Sequence, residues 1–397
     1  MAKALCVFGV LGILTSTVYL AMVGIAVFRF HRRRTSSATF APPVSVFKPL
    51  HGAEPGLREY LESFFLQDYP KYEILFCARH ESDAGLKIAR ELSKKYPGVP
   101  TKILTCGEPH WPNAKCYSLN EMAGAAEHEI FVIADSDVRV TPSYLSEIVA
   151  SLEQEGVGLV TSLYRGVAAQ GGFWARLEAL GMSVEMTSGV LVAEMLEGMH
   201  FALGPSMAVR RRCIAQIGGF EALGNYHAED FMLGKLVAEN GNNVVLAKQA
   251  VEHCIVNTKF EKSLKHQLNW MRSTRFSRPK GHLGTALTFG VPYGILTFTA
   301  ASVLGEPWLG LAALLGTVLL RALQSTLVGG LILNDRAAVR QAWLYPLRDL
   351  LGSLLWVASY TSRKVGWRGH SFELSNHGLT RLVAAEAETA HVHEKIV

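Results

Sequence analysis

The sequence predicts an α/β domain built on a mostly parallel sheet and carried between membrane-spanning helices. Three observations predict it. Uncharged apolar runs occupy 5–28 and 283–305, and a third at 308–333 is interrupted only by Arg321. Between the first two, short β-rich runs alternate with amphipathic stretches from 44 to about 256, the pattern of a sheet covered by helices. Apolar residues make up 49% of the 397 and charged residues only 18%, with a mean hydropathy of +0.19, more apolar matter than one soluble core needs.

The first run is long enough to cross a hydrocarbon layer of about 30 Å as a helix. Arg29, Arg32, Arg33 and Arg34 follow it, not a small-residue cleavage site, which favours a retained span over a signal peptide. Basic collars stay on the cytoplasmic side, so the next domain faces the cytoplasm. Strands are expected at 44–49, 72–78, 101–105, 129–134 and 158–163, and helices at 57–66, 86–95, 114–126 and 143–153. A second collar of Arg272, Arg275, Arg278 and Lys280 precedes the run at 283–305, so two independent junctions put the middle domain on the same side. Arg321 is costly in lipid and is expected to face another helix, an aqueous crevice or a lipid phosphate. The stretch 343–359, with Arg348 and Asp349 near its start, either crosses or lies flat, and with it the side of Arg363, Lys364 and Arg368 stays open.

The expected organisation is therefore an anchor with its collar at 1–34, a cytoplasmic catalytic domain at 44–265, an interfacial segment at 266–282, a region of two or three spans at 283–361 and a tail at 362–397. Lys and Arg total 39 against 34 acidic residues, a net charge of +5 that does not favour nucleic acid as a partner. The six cysteines form no CxxC pair or zinc-type spacing and are expected as reduced thiols.

In open α/β sheets ligands collect at the carboxyl ends of the strands. Asp135-Ser136-Asp137 follows an Ile-Phe-Val-Ile strand, and two hard oxygen ligands there suit Mg²⁺ or Mn²⁺ with a diphosphate; a solvated turn is the alternative. Asp83 follows another strand, placed to reach the uracil or ribose of a nucleotide or to cap a helix. Lys115, after Asn113-Ala114, pairs with phosphate or is simply solvated. Glu229-Asp230 opens an amphipathic stretch, where a carboxylate either supports the helix start or acts as a general base, taking the proton of an attacking hydroxyl. Gly204-Pro205-Ser206 reads as a turn entering a strand, with a tight loop near the acceptor as the alternative. Trp270 and Arg272, just before the second apolar run, belong at the membrane surface, Trp as anchor and Arg against phosphate.

This ordered set, from the first span through Asp83, Asn113-Ala114-Lys115, Asp135-Ser136-Asp137, Glu229-Asp230 and 266–270 to the last apolar runs and Trp367-Arg368-Gly369, resembles the ceramide glucosyltransferase family and its hopanoid-modifying bacterial relatives. The resemblance implies a GT-A (Rossmann-like) glycosyltransferase domain, a UDP-sugar donor, and inverting transfer of one hexose to the hydroxyl of a membrane lipid. The acceptor is ceramide or a hopanoid that receives N-acetylglucosamine, and the host is a bacterial inner membrane. Carried over by position, it implies nucleotide contact for Asp83, metal and diphosphate binding for Asp135 with Asp137, and the base role for Asp230. The family's Q/R-x-x-R-W pattern reads here His266-Gln267-Leu268-Asn269-Trp270, which removes the expected pyrophosphate-binding arginine and leaves Arg272 or Arg275 to substitute. Processive polymer synthesis fits less well, because the spans are few. A catalytically silent membrane scaffold that binds nucleotide-sugars has only that altered segment in its favour.

Overall fold

The computed structural model describes residues 1–33, 40–367, 370–375 and 378–385; Arg34 and Arg368 lie outside them. The chain begins with α1 (Ala2–His31) and enters a sheet through β1 (Val44–Pro49), α2 (Leu57–Phe65), β2 (Tyr72–Ala78), α3 (Ala84–Lys95), β3 (Thr101–Thr105), α4 (Ala114–Ala125) and β4 (Ile130–Ala134). All of these alternating elements follow the sequence pattern within about two residues. Next come β5 (Val138–Arg139), α5 (Tyr144–Ala150), β6 (Val157–Ala168), α6 (Phe173–Leu180), a π-helical turn (Gly181–Met186), α7 (Thr187–Glu197), β7 (Ser206–Arg210), α8 (Arg211–Gln216), α9 (Glu229–Glu239) and β8 (Asn243–Ile255).

The eight strands form one mixed sheet in the order β3-β2-β1-β4-β7-β6-β8-β5. β1 pairs in parallel with β2 and β4, β7 is antiparallel to both β4 and β6, and β6 and β8 are parallel. Central strands buried on both faces need mostly apolar side chains, and β1, β2 and β4 supply them apart from the buried Ser45, Lys48 and Glu73; Phe47 stacks on Phe131 with ring centroids 4.7 Å apart.

Strand β6 runs five residues beyond the expected 163. Its extension contains Arg165 and Gly166, which lay beyond the expected strand. Arg165 instead pairs with Glu252 of β8 at 2.6 Å, and Gly166 admits α6 so closely that a Cβ there would lie 2.6 Å from the Ala179 Cα.

Among the described residues three helices are long and apolar enough to cross a membrane: Ala2–His31, Pro307–Leu331 and the continuous Phe173–Glu197. The third, formed by α6, the π turn and α7, was not anticipated, and it is mostly buried against protein, tied to the basic end of α1 by Arg33–Glu194 at 2.5 Å. The run expected to span at 283–305 is a bent pair, Pro279–Thr288 and Val291–Val303, with an angle of 46° between them, the shape of a broken span or a re-entrant loop. After α10 (Phe260–Ser277), α11 (Pro279–Thr285), α12 (Val291–Val303) and α13 (Pro307–Leu331) come α14 (Arg336–Arg340) and α15 (Tyr345–Ala358). The 14 residues of α15 extend only about 21 Å, short of the hydrocarbon thickness.

Arg321 faces other helices. Its guanidinium meets Ser16 of α1, Gln324, the Thr288 carbonyl and, at 3.3 Å, the Asp349 carboxylate of α15. Asp349 in turn accepts from the backbone N–H groups of Gly290 and Val291 at 2.9 and 2.8 Å, satisfying the donors left open at the bend before α12.

Residues 364–385, expected as tail, contribute an antiparallel sheet of β9 (Lys364–Trp367), β10 (His370–Leu374) and β11 (Thr380–Ala385). It docks on the loop before α9, where His227 N–H donates to Gly378 and Tyr226 bridges Leu379.

Candidate active site

The site gathers where β1, β4 and α9 meet. Chain reversal after β4 carries Asp135-Ser136-Asp137 into β5, which pairs antiparallel with β8. That pairing holds Asp137 beside His253: the Cys254 N–H donates to the Asp137 carbonyl at 2.9 Å, and Asp137 Oδ2 lies 3.2 Å from His253 Nε2. Burial would raise the Asp137 carboxyl, but the adjacent His253 overrides it and holds the group well below the usual carboxylate range. Its Oδ1 is buried with no hydrogen-bond partner among the described residues.

Lys115 joins the distant parts. Asn113 caps α4, accepting from the Cys116 N–H at 3.1 Å, and its amide donates to the Tyr226 carbonyl and to Glu229 Oε2 at 2.9 and 3.1 Å. The cap aims Lys115 so that its Nζ lies 2.6 Å from Asp135 Oδ1 and 2.9 Å from Glu229 Oε1. Burial opposes the ammonium, yet these two carboxylates hold its pKa well above the usual lysine value. Glu229 is lowered for the same reason, with burial pulling the other way.

Asp230, in the first turn of α9, has no such partner among the described residues. Burial, then repulsion from Glu229, pushes its carboxyl up to about 7. Gly204 lies against it so closely that a Cβ there would be 2.9 Å from Asp230 Oδ2. The turn at Gly204-Pro205 enters β7 at Ser206, as expected, and Pro205 accepts from the Asp135 N–H at 3.3 Å. Asp135 and Asp230 therefore border one site at the carboxyl end of β4.

Sequence reasoning missed two residues here. Lys48, in β1, is fully buried beneath the Asp135 turn; its ammonium donates to the Asp135 carbonyl and lies 3.9 Å from the centre of the Phe64 ring. Burial lowers its pKa to about 7 against the pull of Asp135 and Asp137. A lysine inside an apolar strand was the available signal. His253 carried none, since β8 was unassigned.

Asp83 caps α3. Oδ1 accepts from the Gly85 N–H at 2.7 Å and Oδ2 from the Gly52 N–H at 2.8 Å, tying the loop after β1 to the start of α3. Trp270 stands edge-on to His253 with centroids 5.9 Å apart and packs on His266, whose Nδ1 is 2.5 Å from Glu178 Oε1. At the position where an arginine was expected, Asn269 spends its amide on Gly366 of β9, donating to its carbonyl at 2.7 Å. Arg272 donates to the Lys364 carbonyl at 2.9 Å and Arg275 to that of Ser359, so both guanidinium groups are engaged by the segment after α15.

Among the described residues no three His, Cys, Asp or Glu side chains form a ligand cluster for a metal. Two carboxylates do suffice for Mg²⁺ or Mn²⁺ that keeps water and diphosphate as its other ligands, and the orphaned Asp137 Oδ1 beside Asp135 is a donor suited to one.

A family model, glycosyl transferase family 21, matches residues 7–380. The chain belongs to this family. Ceramide glucosyltransferase 1 of Caenorhabditis elegans is 30% identical over 217 residues, 54% of this chain and 46% of that protein. Ceramide glucosyltransferase 3 of the same organism is 23% identical over 353 residues, 88% of this chain and 76% of that protein. The family 21 chain thus spans less than half of the first of these relatives. Among solved structures, the mannosyltransferase PcManGT of Pyrobaculum calidifontis, in complex with GDP-Man and Mn²⁺, superposes with a TM-score of 0.55 at 17% identity, covering 89% of this chain and 99% of that one. That likeness shows the fold, GT-A.

Proposed function

We propose that this family 21 chain moves one hexose from a UDP-sugar to the hydroxyl of a membrane lipid of the ceramide type, with inversion, from a catalytic domain on the cytoplasmic side of a membrane it crosses more than once. The observation that supports this most is the convergence of Asp135, Lys115, Glu229 and Asp230 in one buried site, with only Asp230 lacking a cationic partner.

Asp230 is the general base. A carboxylate with a pKa near 7 accepts a proton efficiently at neutral pH. As the acceptor oxygen attacks the anomeric carbon, Asp230 takes the hydroxyl proton, a new C–O bond forms, and the bond to the UDP oxygen breaks with inversion. Asp135 and Asp137 would hold Mn²⁺ or Mg²⁺, which offsets charge on the leaving diphosphate when bound. His253 fixes the Asp137 carboxylate in orientation, and Lys48 supports the Asp135 backbone from below. Asp83 shapes the nucleotide end of the cleft by holding Gly52 and Gly85. Lys115 keeps Asp135 and Glu229 together in the free enzyme and lies close enough to Asp135 to meet a donor phosphate. Trp270 walls the site through His253, and Arg272 serves the docking of β9 near the membrane surface.

Purified full-length protein given UDP-glucose or UDP-N-acetylglucosamine, Mn²⁺ and either ceramide or a polyhydroxylated hopanoid should yield a lipid heavier by a single glucose, on ceramide. Mass spectrometry reads sugar and lipid together. A product on the hopanoid alone would transfer the reading to that acceptor, and UDP binding with no glycolipid at all would defeat it in favour of a silent scaffold.

The pH profile follows from the raised Asp230 carboxyl. The base must be ionised, so kcat/KM should fall about tenfold per pH unit below an inflection near 7. A profile flat from pH 5 to 8, with the sugar-transfer step rate-limiting, would remove Asp230 from the role.

A further inference from the structure

A cavity of about 550 Å³ lies on the opposite side of β6 and β8 from the active site. Successive strand residues face opposite ways: Tyr164 and His253 are drawn toward Asp137 and Asp230, whereas Arg165 and Glu252 face the cavity. Its other walls are α6 and the segment from Asn334 to Gln341 that follows α13.

Most charges around it are already satisfied. Glu252 is held between Arg165 at 2.6 Å and Arg139 at 2.5 Å. Asp335 caps α14, accepting from the Ala337 and Ala338 N–H groups at 2.9 and 3.0 Å, and its other oxygen accepts from Ser183 at 2.9 Å. Arg176 and Arg336 also line the cavity and are exposed, and their guanidinium groups make no ion pair or hydrogen bond with any described residue. A second hollow of about 170 Å³ shares Arg336 and adds Arg340, whose guanidinium likewise has no partner among the described residues. The neutralised acids leave a net positive, partly apolar recess.

Its level in the molecule says what meets it. α1 and α13, both long and apolar enough to span, end side by side here, with His31 Nδ1 3.2 Å from the Leu331 carbonyl, and Asn334 at the cavity lies just beyond. The basic end of α1 and the recess therefore share the plane where headgroups lie.

We propose that this recess binds the headgroup of an anionic glycerophospholipid, its phosphate between Arg176 and Arg336, as a site separate from the sugar-transfer centre. Guanidinium groups suit a phosphate through paired N–H donors, and the alanine and leucine surface of α6 accepts the glycerol end. The inference rests on α1 and α13 lying in a membrane and not on the transferase reading.

The test uses full-length protein in detergent with saturating UDP and Mn²⁺ to occupy the active site. Phosphatidylglycerol and phosphatidylcholine compete, and retained lipid is measured by native mass spectrometry. The wild type should prefer phosphatidylglycerol by at least about tenfold, the Arg176→Ala/Arg336→Ala double variant should lose that preference, and Arg176→Lys/Arg336→Lys should regain part of it. Equal retention of the two lipids by wild type, or an undiminished preference in a double variant with unchanged melting temperature, overturns the proposal. Displacement of phosphatidylglycerol by submillimolar glycerol 3-phosphate or inorganic phosphate would assign the site to a soluble phosphate and also overturn it. If the alanine variant fails to fold, the wild-type competition decides alone.

Discussion

Asp230→Asn should reduce sugar transfer about 10³-fold while leaving UDP affinity within about threefold of wild type, because a carboxamide keeps the shape of the side chain but cannot take a proton. The site around it supports so selective an effect. Asp230 makes no ion pair with any described residue, whereas Lys115 joins Asp135 and Glu229 directly. Titration calorimetry with UDP and Mn²⁺ gives the binding arm, and single-turnover transfer to the lipid gives the chemical arm. Should the Asn variant retain more than about a tenth of the wild-type rate, proton removal lies elsewhere and Glu229 becomes the residue to examine. Should UDP binding collapse in parallel with transfer, Asp230 is holding the donor side of the site.

Lys115→Met is expected to be more disruptive. Lys115 Nζ is the cation between two carboxylates, and Asp230 lies close by. Its removal leaves Asp135, Glu229 and Asp230 in a largely buried space without compensation, at a cost of about 3 kcal/mol. The loss has a definite pH dependence. Uncompensated buried carboxylates have folded-state pKa values above their unfolded ones, so the folded variant binds more protons than the unfolded chain across that interval. Its stability should therefore recover as pH falls toward 5 and worsen toward 8. The difference in melting temperature between variant and wild type, followed across that range, reads this directly. A deficit that stayed constant with pH would mean that Lys115 contributes packing rather than charge. Lys115→Arg keeps the charge and should restore most of the stability, separating that role from any contact with the donor.

The two variants also separate the parts of the proposed mechanism. The first removes an acceptor of protons and leaves the donor end intact; the second disturbs the electrostatics on which Asp135 and Glu229 both depend. Neither touches Arg176 or Arg336, so neither should change lipid preference at the recess on the far side of the sheet.

The alternating half of the domain was legible in the sequence because its signals are local. Strands β1 to β4 are short apolar runs, and α3 and α4 begin at capping residues, Asp83 and Asn113, that announce themselves. The long apolar helices α1 and α13 were equally plain, since a candidate span is a run of about 20 residues with few charges. The carboxylates of the site were found by their place at a strand end or helix start. What escaped was non-local. β6 passes through Arg165 only because Glu252 of a distant strand answers its charge, and through Gly166 only because α6 packs there. The helix from Phe173 to Glu197 resembles a membrane span in composition but is covered by the rest of the protein. The sheet formed from 364–385 docks by backbone bonds to the loop before α9, which no side-chain pattern reports.

Residue types and spacing by themselves determined that this chain has an α/β domain between apolar helices and that Asp135, Asp137 and Asp230 stand at element ends, because strand, helix and cap preferences act over a few neighbouring residues. Only the tertiary structure decided that Lys115 would bind Asp135 to Glu229, that His253 would hold Asp137, that Lys48 would sit beneath them, and that Asn269 and Arg272 would turn to the segment after α15. Charge pairing and burial depend on distances in space between groups as far apart in the chain as Asp137 and His253, and those distances exist only once the sheet has closed.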